Sequence, residues 1–255
     1  MNIIELKGAR KVYRKSHLGR VKETVGVADV SLEVRQGEVF GLVGLNGAGK
    51  STTIKLILGL QHPTRGTAEV FGRQMPDVEV LRRIGYLPEA TTLSRYLTGR
   101  EAVSFFAALS GIRPQERESA VTGILEHVGM LGAAQDRCSE YSKGMLQRIS
   151  MAQALVHDPE LLILDEPGSG LDPLAIKELR DLIGWLRSRG KTVFFSSHHI
   201  SELEQVCDRI GVLSEGRVAR LIDQKEWREG GQGLEEIFLS AVRRSERVGP
   251  MRFQP

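Results

Sequence analysis

Over residues 27–34, Val27, Val30, Leu32 and Val34 alternate in part with polar neighbours, the pattern of a strand with one buried face. Residues 3–6 and 39–43 read as two further short strands, with a turn at Gln36, Gly37 and Glu38. The basic stretch 14–22 interrupts these strands and is expected to be an exposed loop. A solvated hairpin, or a contact with a partner or lipid, are its alternatives. Residues 51–60 predict a helix closed by Gly59 ahead of Pro63, and a second β pair is expected at 68–71 and 84–87.

From 95 to 157 the pattern is mostly helical, broken at 111–114 and 129–134. Two continuous apolar runs follow, at 161–164 and 192–196. Such runs suit central strands covered on both faces. Residues 175–189 predict a helix between them, a βαβ crossover. Residues 211–214 read as another strand and 234–243 as an amphipathic terminal helix. The expected fold is an α/β protein: a parallel-sheet core, a small antiparallel portion at its front and an inserted helical segment.

Composition adds bounds. The chain has 255 residues, 41% hydrophobic and 26% charged, which suits one α/β unit with subdomains. A net charge of +3 is too mild to indicate nucleic acid, and none is expected as a partner. Cys138 and Cys207 belong to no CxxC pair, so buried thiols in a reducing compartment are expected rather than a zinc site. No apolar run reaches the length of a membrane helix, and the first residues lack a signal-peptide pattern. The expected location is cytoplasmic, with any membrane span supplied by another chain.

Gly44, Leu45, Asn46, Gly47, Ala48, Gly49, Lys50 and Ser51 satisfy G-x-x-x-x-G-K-[ST], between an apolar strand and a helix. Glycines there let backbone N–H groups turn inward as an anion nest, and the helix adds its positive end. Lys50 would supply charge to the β- and γ-phosphates of ATP, and the Ser51 hydroxyl would ligate Mg²⁺. Thr52 follows within the same nucleotide-binding segment. The apolar run ending in Asp165 and Glu166 places two carboxylates at a strand end, where ligands bind in α/β sheets. Asp165 suits the hold on Mg²⁺. Glu166, one residue on, can orient and deprotonate a water.

With these motifs in order, the sequence resembles the ABC ATPases over about residues 2–222. That resemblance implies a P-loop NTPase core, a small antiparallel β subdomain and an inserted helical subdomain at about 89–158, with 223–255 as a tail carrying a short helix. Tyr141, Ser142, Lys143, Gly144 and Met145 are similar to the family's signature loop, usually LSGGQ. They depart from it at the first, third and fifth positions. Ser142 can cap the helix that follows, expected to begin near Met145. The family uses that helix start, here Ser142 and Gly144, to bind the γ-phosphate held by the opposite subunit, and Lys143 adds a cation there. Asp172 matches the loop that crosses the dimer interface. His198 matches the histidine that touches the γ-phosphate, against the alternative of a surface histidine. Tyr13 sits where the family stacks an aromatic on adenine, against the alternative of a core tyrosine. Glu89 stands where the family usually has glutamine and, as a carboxylate, can still ligate Mg²⁺.

The resemblance implies an ATPase subunit, peripheral on the inner face of the membrane, that energises transport through separate transmembrane permease subunits. Export is expected, from similarity to a bacterial exporter-like branch. A second copy or a paralogous ATPase subunit would complete a dimer of two ATP sites. A nucleotide-gated scaffold at the membrane, without transport, is the alternative. DNA-repair members need coiled-coil insertions that are absent here, and ribosomal members carry two cassettes.

Overall fold

A computed structural model describes residues 1–17, 20–90 and 93–245. The chain begins with β1 (Asn2–His17), β2 (Arg20–Arg35), β3 (Val39–Val43), α1 (Lys50–Ile57), β4 (Arg65–Val70) and β5 (Arg73–Gln74). It continues through α2 (Val78–Leu81), β6 (Ile84–Leu87), α3 (Gly99–Leu109), α4 (Pro114–His127), α5 (Lys143–Leu155), β7 (Leu161–Asp165), α6 (Pro173–Ser188) and β8 (Thr192–Ser197). It closes with α7 (Ile200–Val206), β9 (Arg209–Ser214), β10 (Arg217–Asp223), α8 (Gln224–Arg228) and α9 (Leu234–Ser245). Two compact units result: Met1–Asp77 with Phe195–Pro255, and Val78–Phe194.

The first unit is a mixed sheet in the order β5-β4-β1-β2-β10-β9-β3. Its β5-β4-β1-β2 portion is antiparallel throughout, the small antiparallel part read from the sequence. β3 and β9 run parallel, and all five residues of β3 are buried. The buried Glu38 carboxylate, just before β3, meets Arg209 at the start of β9 at 3.2 Å. Burial raises the Glu38 pKa, against the hydrogen bond from the Arg35 amide and the charge of Arg209.

Two expectations change here. The 14–22 stretch is strand, not loop: Arg14 pairs with Glu23 and His17 with Arg20, while residues 18 and 19 lie outside the described residues. An exposed Arg14–Glu23 ion pair replaces apolar alternation along it, so hydrophobic periodicity could not reveal it. The segments at 68–71 and 84–87 are not a pair either. β4 lies between β1 and β5, and β6 runs parallel to β7.

In the second unit every residue of β7 is buried, as its unbroken apolar run requires. The α6 crossover carries the chain from β7 to its neighbour β8. Helices α3, α4 and α5 enclose their own apolar core, centred on Val103, Leu125 and Ile149. The α3 start is fixed by a capping box, in which Thr98 Oγ1 accepts from the Glu101 amide and Glu101 returns a bond to the Thr98 amide. Both cysteines are buried, and burial raises their thiol pKa values, most strongly at Cys207. Among the described residues no helix is long and apolar enough to cross a membrane.

His157 lies between α5 and β7, its Nε2 3.1 Å from the Ile84 carbonyl. Burial lowers its pKa from 6.5 despite that bond. The unfolded chain therefore binds a proton that the folded chain refuses. Stability from this site is full above about pH 6.5 and declines as pH falls toward the lowered value. Thermal melts between pH 8 and 5 should show the gap between wild type and His157→Gln narrowing below pH 6.5. A gap that stayed constant would show that His157 does not titrate this way.

Candidate nucleotide site

In the first unit, β3 delivers the chain into the glycine loop and α1 leaves it. Gly49 caps α1 at φ +109°, a left-handed conformation that glycine adopts without strain. A Cβ on Gly49 would stand 2.7 Å from the Gly26 carbonyl, and one on Gly44 would collide with the Leu213 carbonyl. Neighbouring strands thus press on the loop from outside, and its exposed stretch, Leu45, Asn46 and Gly47, faces away from them. Ala48 is buried, its amide donates to the Leu45 carbonyl, and its own carbonyl accepts from the Gly216 amide.

Lys50 is only 6% exposed. Its ammonium donates to the Gly44 carbonyl at 2.7 Å and reaches the Leu45 carbonyl at 3.5 Å. A buried ammonium requires such partners, and here the loop closes on its own lysine. Ser51 and Thr52 are half-buried on the first turn of α1. Tyr13, on β1, is brought to this turn, with its hydroxyl 3.5 Å from Thr52 Oγ1 and its ring against Gly26. The Lys11 ammonium lies 5.5 Å from the ring centroid.

His198 follows β8 in the same unit. It is exposed, with its ring tilted at 42° to that of His199 and the centroids 4.0 Å apart. The turn beneath it is pinned by two residues that sequence reasoning missed. Ser197 Oγ accepts from the His199 amide and donates to the buried Glu202 carboxylate, each at 2.9 Å. Nothing in the α7 sequence marks Glu202 for this role, since a surface glutamate reads the same.

In the second unit, β7 ends at Asp165 and Glu166 follows it, both buried. Glu166 holds φ +50°, a conformation that costs a residue with a Cβ about 1–3 kcal/mol. Asp165 and Glu89 both bear on the half-buried Tyr86 phenol, whose pKa is pushed up to about 12, first by burial and then by those two charges. Glu89 itself is exposed. Among the described residues no group of three or more His, Cys, Asp or Glu side chains could hold a metal by itself. Within this unit the Asp165 and Glu89 carboxylates are oxygen donors of the type a hard cation takes.

Ser142 is the N-cap of α5, with Oγ accepting from the Met145 amide at 3.3 Å, so the helix begins at Lys143, two residues before its expected start. Two departures from the signature pattern turn inward. Tyr141 is buried and donates to the Ala133 carbonyl at 2.6 Å, and Met145 packs against the helical core. Asp172 caps α6 by accepting from the Ala175 amide at 2.8 Å. The structure therefore groups Tyr13, residues 44–52 and His198 in one unit, and Glu89, Ser142, Gly144, Asp165, Glu166 and Asp172 in the other.

A family model described as ABC transporter matches residues 27–169. An ABC transporter ATP-binding protein of Nostoc is 44% identical over 219 residues, covering 85% of this chain and 65% of the relative. The bacitracin transport ATP-binding protein of Bacillus licheniformis is 44% identical over 217 residues, covering 84% and 70%. The chain thus spans slightly less than two thirds of the Nostoc relative. A dimeric ATP-binding cassette in a post-hydrolysis state, bound to ADP and Pi, matches with a TM-score of 0.78 at 25% identity, over 87% of this chain and 98% of that one.

Gly49→Ala should lower unfolding free energy by about 1–3 kcal/mol through its strained φ. Gly144→Ala, in helix α5 with open space at its Cβ position, should leave stability unchanged or raise it by up to about 1 kcal/mol. Urea unfolding measures both. Equal losses would show that the loop imposes no special backbone demand.

Proposed function

The chain belongs to the ABC transporter family, and we propose that it is the subunit that binds and hydrolyses ATP to drive export through separate transmembrane subunits. The observation carrying this reading is the buried Lys50 ammonium, closed on the Gly44 carbonyl inside a loop that only glycine can form at residue 49. Such a loop presents converging amides and one cation, the chemistry of a polyphosphate tail. We assign residues 2–222 to the ATPase domain, with about 89–158 as its helical part and 223–255 as a tail.

In this reading Lys50 exchanges the Gly44 carbonyl for phosphate oxygens, while the amides from Gly44 to Ser51 hold the remaining charge. Tyr13 stacks on the adenine. Ser51, Asp165 and Glu89 would hold Mg²⁺, which neutralises charge on the phosphates when bound. Glu166 orients a water and accepts its proton as the oxygen attacks the γ-phosphorus. The bond to the β–γ bridging oxygen breaks, giving ADP and inorganic phosphate. The left-handed backbone at Glu166 fixes that carboxylate's direction, so the base is aimed before substrate arrives. His198 donates to the γ-phosphate, and the Ser197–Glu202 contact keeps its turn in place.

A second ATPase subunit completes each site with Ser142, Gly144 and Asp172, as supported by likeness to the dimeric cassette. The pair sits peripherally on the cytoplasmic face of the membrane, and its closing and opening move the transmembrane partners. The direction, export, rests on resemblance to the exporter-like branch.

Glu166→Gln should keep ATP affinity and lose turnover by at least about 10²-fold, accumulating an ATP-bound dimer in light scattering. Turnover at the wild-type rate would remove Glu166 from the base role. Lys50→Ala should weaken ATP binding by about tenfold or more, measured by calorimetry. Unchanged affinity would contradict the role given to Lys50.

A further inference from the structure

Lys143 is the departure that the proposed function leaves without a task. As a cation beside Ser142 it suggests a phosphate ligand. The structure commits it elsewhere: its Nζ donates to the Ser169 carbonyl at 3.0 Å. One helical turn on, along the same face of α5, Gln147 Nε2 donates to the Pro167 carbonyl at 2.9 Å. Two side chains of the signature helix thus grip alternate carbonyls of the loop that follows Glu166.

That loop is tied back to Glu166 as well. The Ser169 amide donates to the Glu166 carbonyl at 3.1 Å, so the Ser169 residue is held through its amide by Glu166 and through its carbonyl by Lys143. Gly170 completes the arrangement. It sits at φ +66°, and a Cβ there would collide with the Lys143 ammonium, so the missing side chain makes room for the lysine. A strained residue persists only where its surroundings over-determine it. Glu166 is such a residue, and the grip of α5 on Pro167 and Ser169 is what surrounds it on the chain's downstream side.

We propose that Lys143, assisted by Gln147, is a positioning residue that locks the Glu166–Gly170 backbone to the start of the signature helix, so that engagement of Ser142 and Gly144 by the opposite subunit's nucleotide is transmitted to the hydrolysing carboxylate of the same chain. This rests on the proposed function. The ammonium bonds backbone, not phosphate, and its effect falls on the rate of turnover rather than on nucleotide affinity. The two ATP sites are thereby coupled through one short path inside each subunit.

Steady-state ATP hydrolysis by the full chain, with and without Lys143→Met, tests this. The expected result is a kcat reduced by about tenfold or more with KM within about twofold. Lys143→Arg, which keeps a long cationic donor, should restore most of the rate, and Gln147→Met should repeat the same split. In a Glu166→Gln background, Lys143→Met should leave ATP-driven dimerisation unchanged. Amide exchange at Ser169 should accelerate in Lys143→Met without nucleotide, a readout independent of hydrolysis. Wild-type kcat, or unchanged exchange at Ser169, overturns the inference. Weakened dimerisation or a raised KM overturns it in favour of a phosphate ligand. A wild-type chain without turnover sinks the proposed function instead, and the exchange result still reports on the Lys143 contact.

Discussion

The closure of residues 44–50 on their own lysine is the constraint from which the rest follows. An ammonium as buried as Lys50 is unfavourable unless charge-assisted bonds replace water, and the Gly44 carbonyl supplies one. For the lysine to fold back so tightly, the backbone must turn at Gly49 into a conformation a side chain would strain, beneath the Gly26 carbonyl. β3, wholly buried, and α1 are placed on either side of this turn, so the sheet fixes where the loop opens. In the proposed function this closed loop is the anion site, formed before any anion arrives, which lowers the ordering cost of binding.

The second unit holds two buried acid groups, Asp165 and Glu166. Glu166 has a left-handed backbone, and Lys143 and Gln147 hydrogen-bond the loop that follows it. Arg148, the next residue of α5, donates through Nη2 to both carboxylate oxygens of Glu178 on α6 at 2.6 and 2.7 Å, so the helices flanking the loop are braced as well. The start of α5 and the end of β7, to which the proposed function assigns binding and chemistry, are therefore bridged within one unit.

Much of this was legible in the sequence because glycines, charges and apolar runs obey strong local rules. The unbroken run of β7 declared a strand covered on both faces, and the spacing from Gly44 to Ser51 marked a glycine loop between a strand and a helix. Ser142 as a helix cap followed from residue type alone. The rest depended on partners distant in sequence. The outer half of the β1–β2 hairpin is held by polar cross-strand pairs such as Arg14–Glu23, and β10 is largely exposed, so neither shows apolar alternation. Glu202 and Gln147 read as ordinary helix-surface residues, and only the fold reveals which backbone or hydroxyl each one reaches. The departures at Tyr141 and Met145 became intelligible only when both proved to face the helical core.

In the proposed function the loop recognises a polyphosphate, with the adenine contributing less. Competition between ATP, ADP and adenosine for the purified chain, in the presence of magnesium, measures this directly. ATP and ADP should bind, while adenosine should be weaker by more than about a hundredfold. Adenosine binding as tightly as ATP, or no binding of either nucleotide, would contradict it.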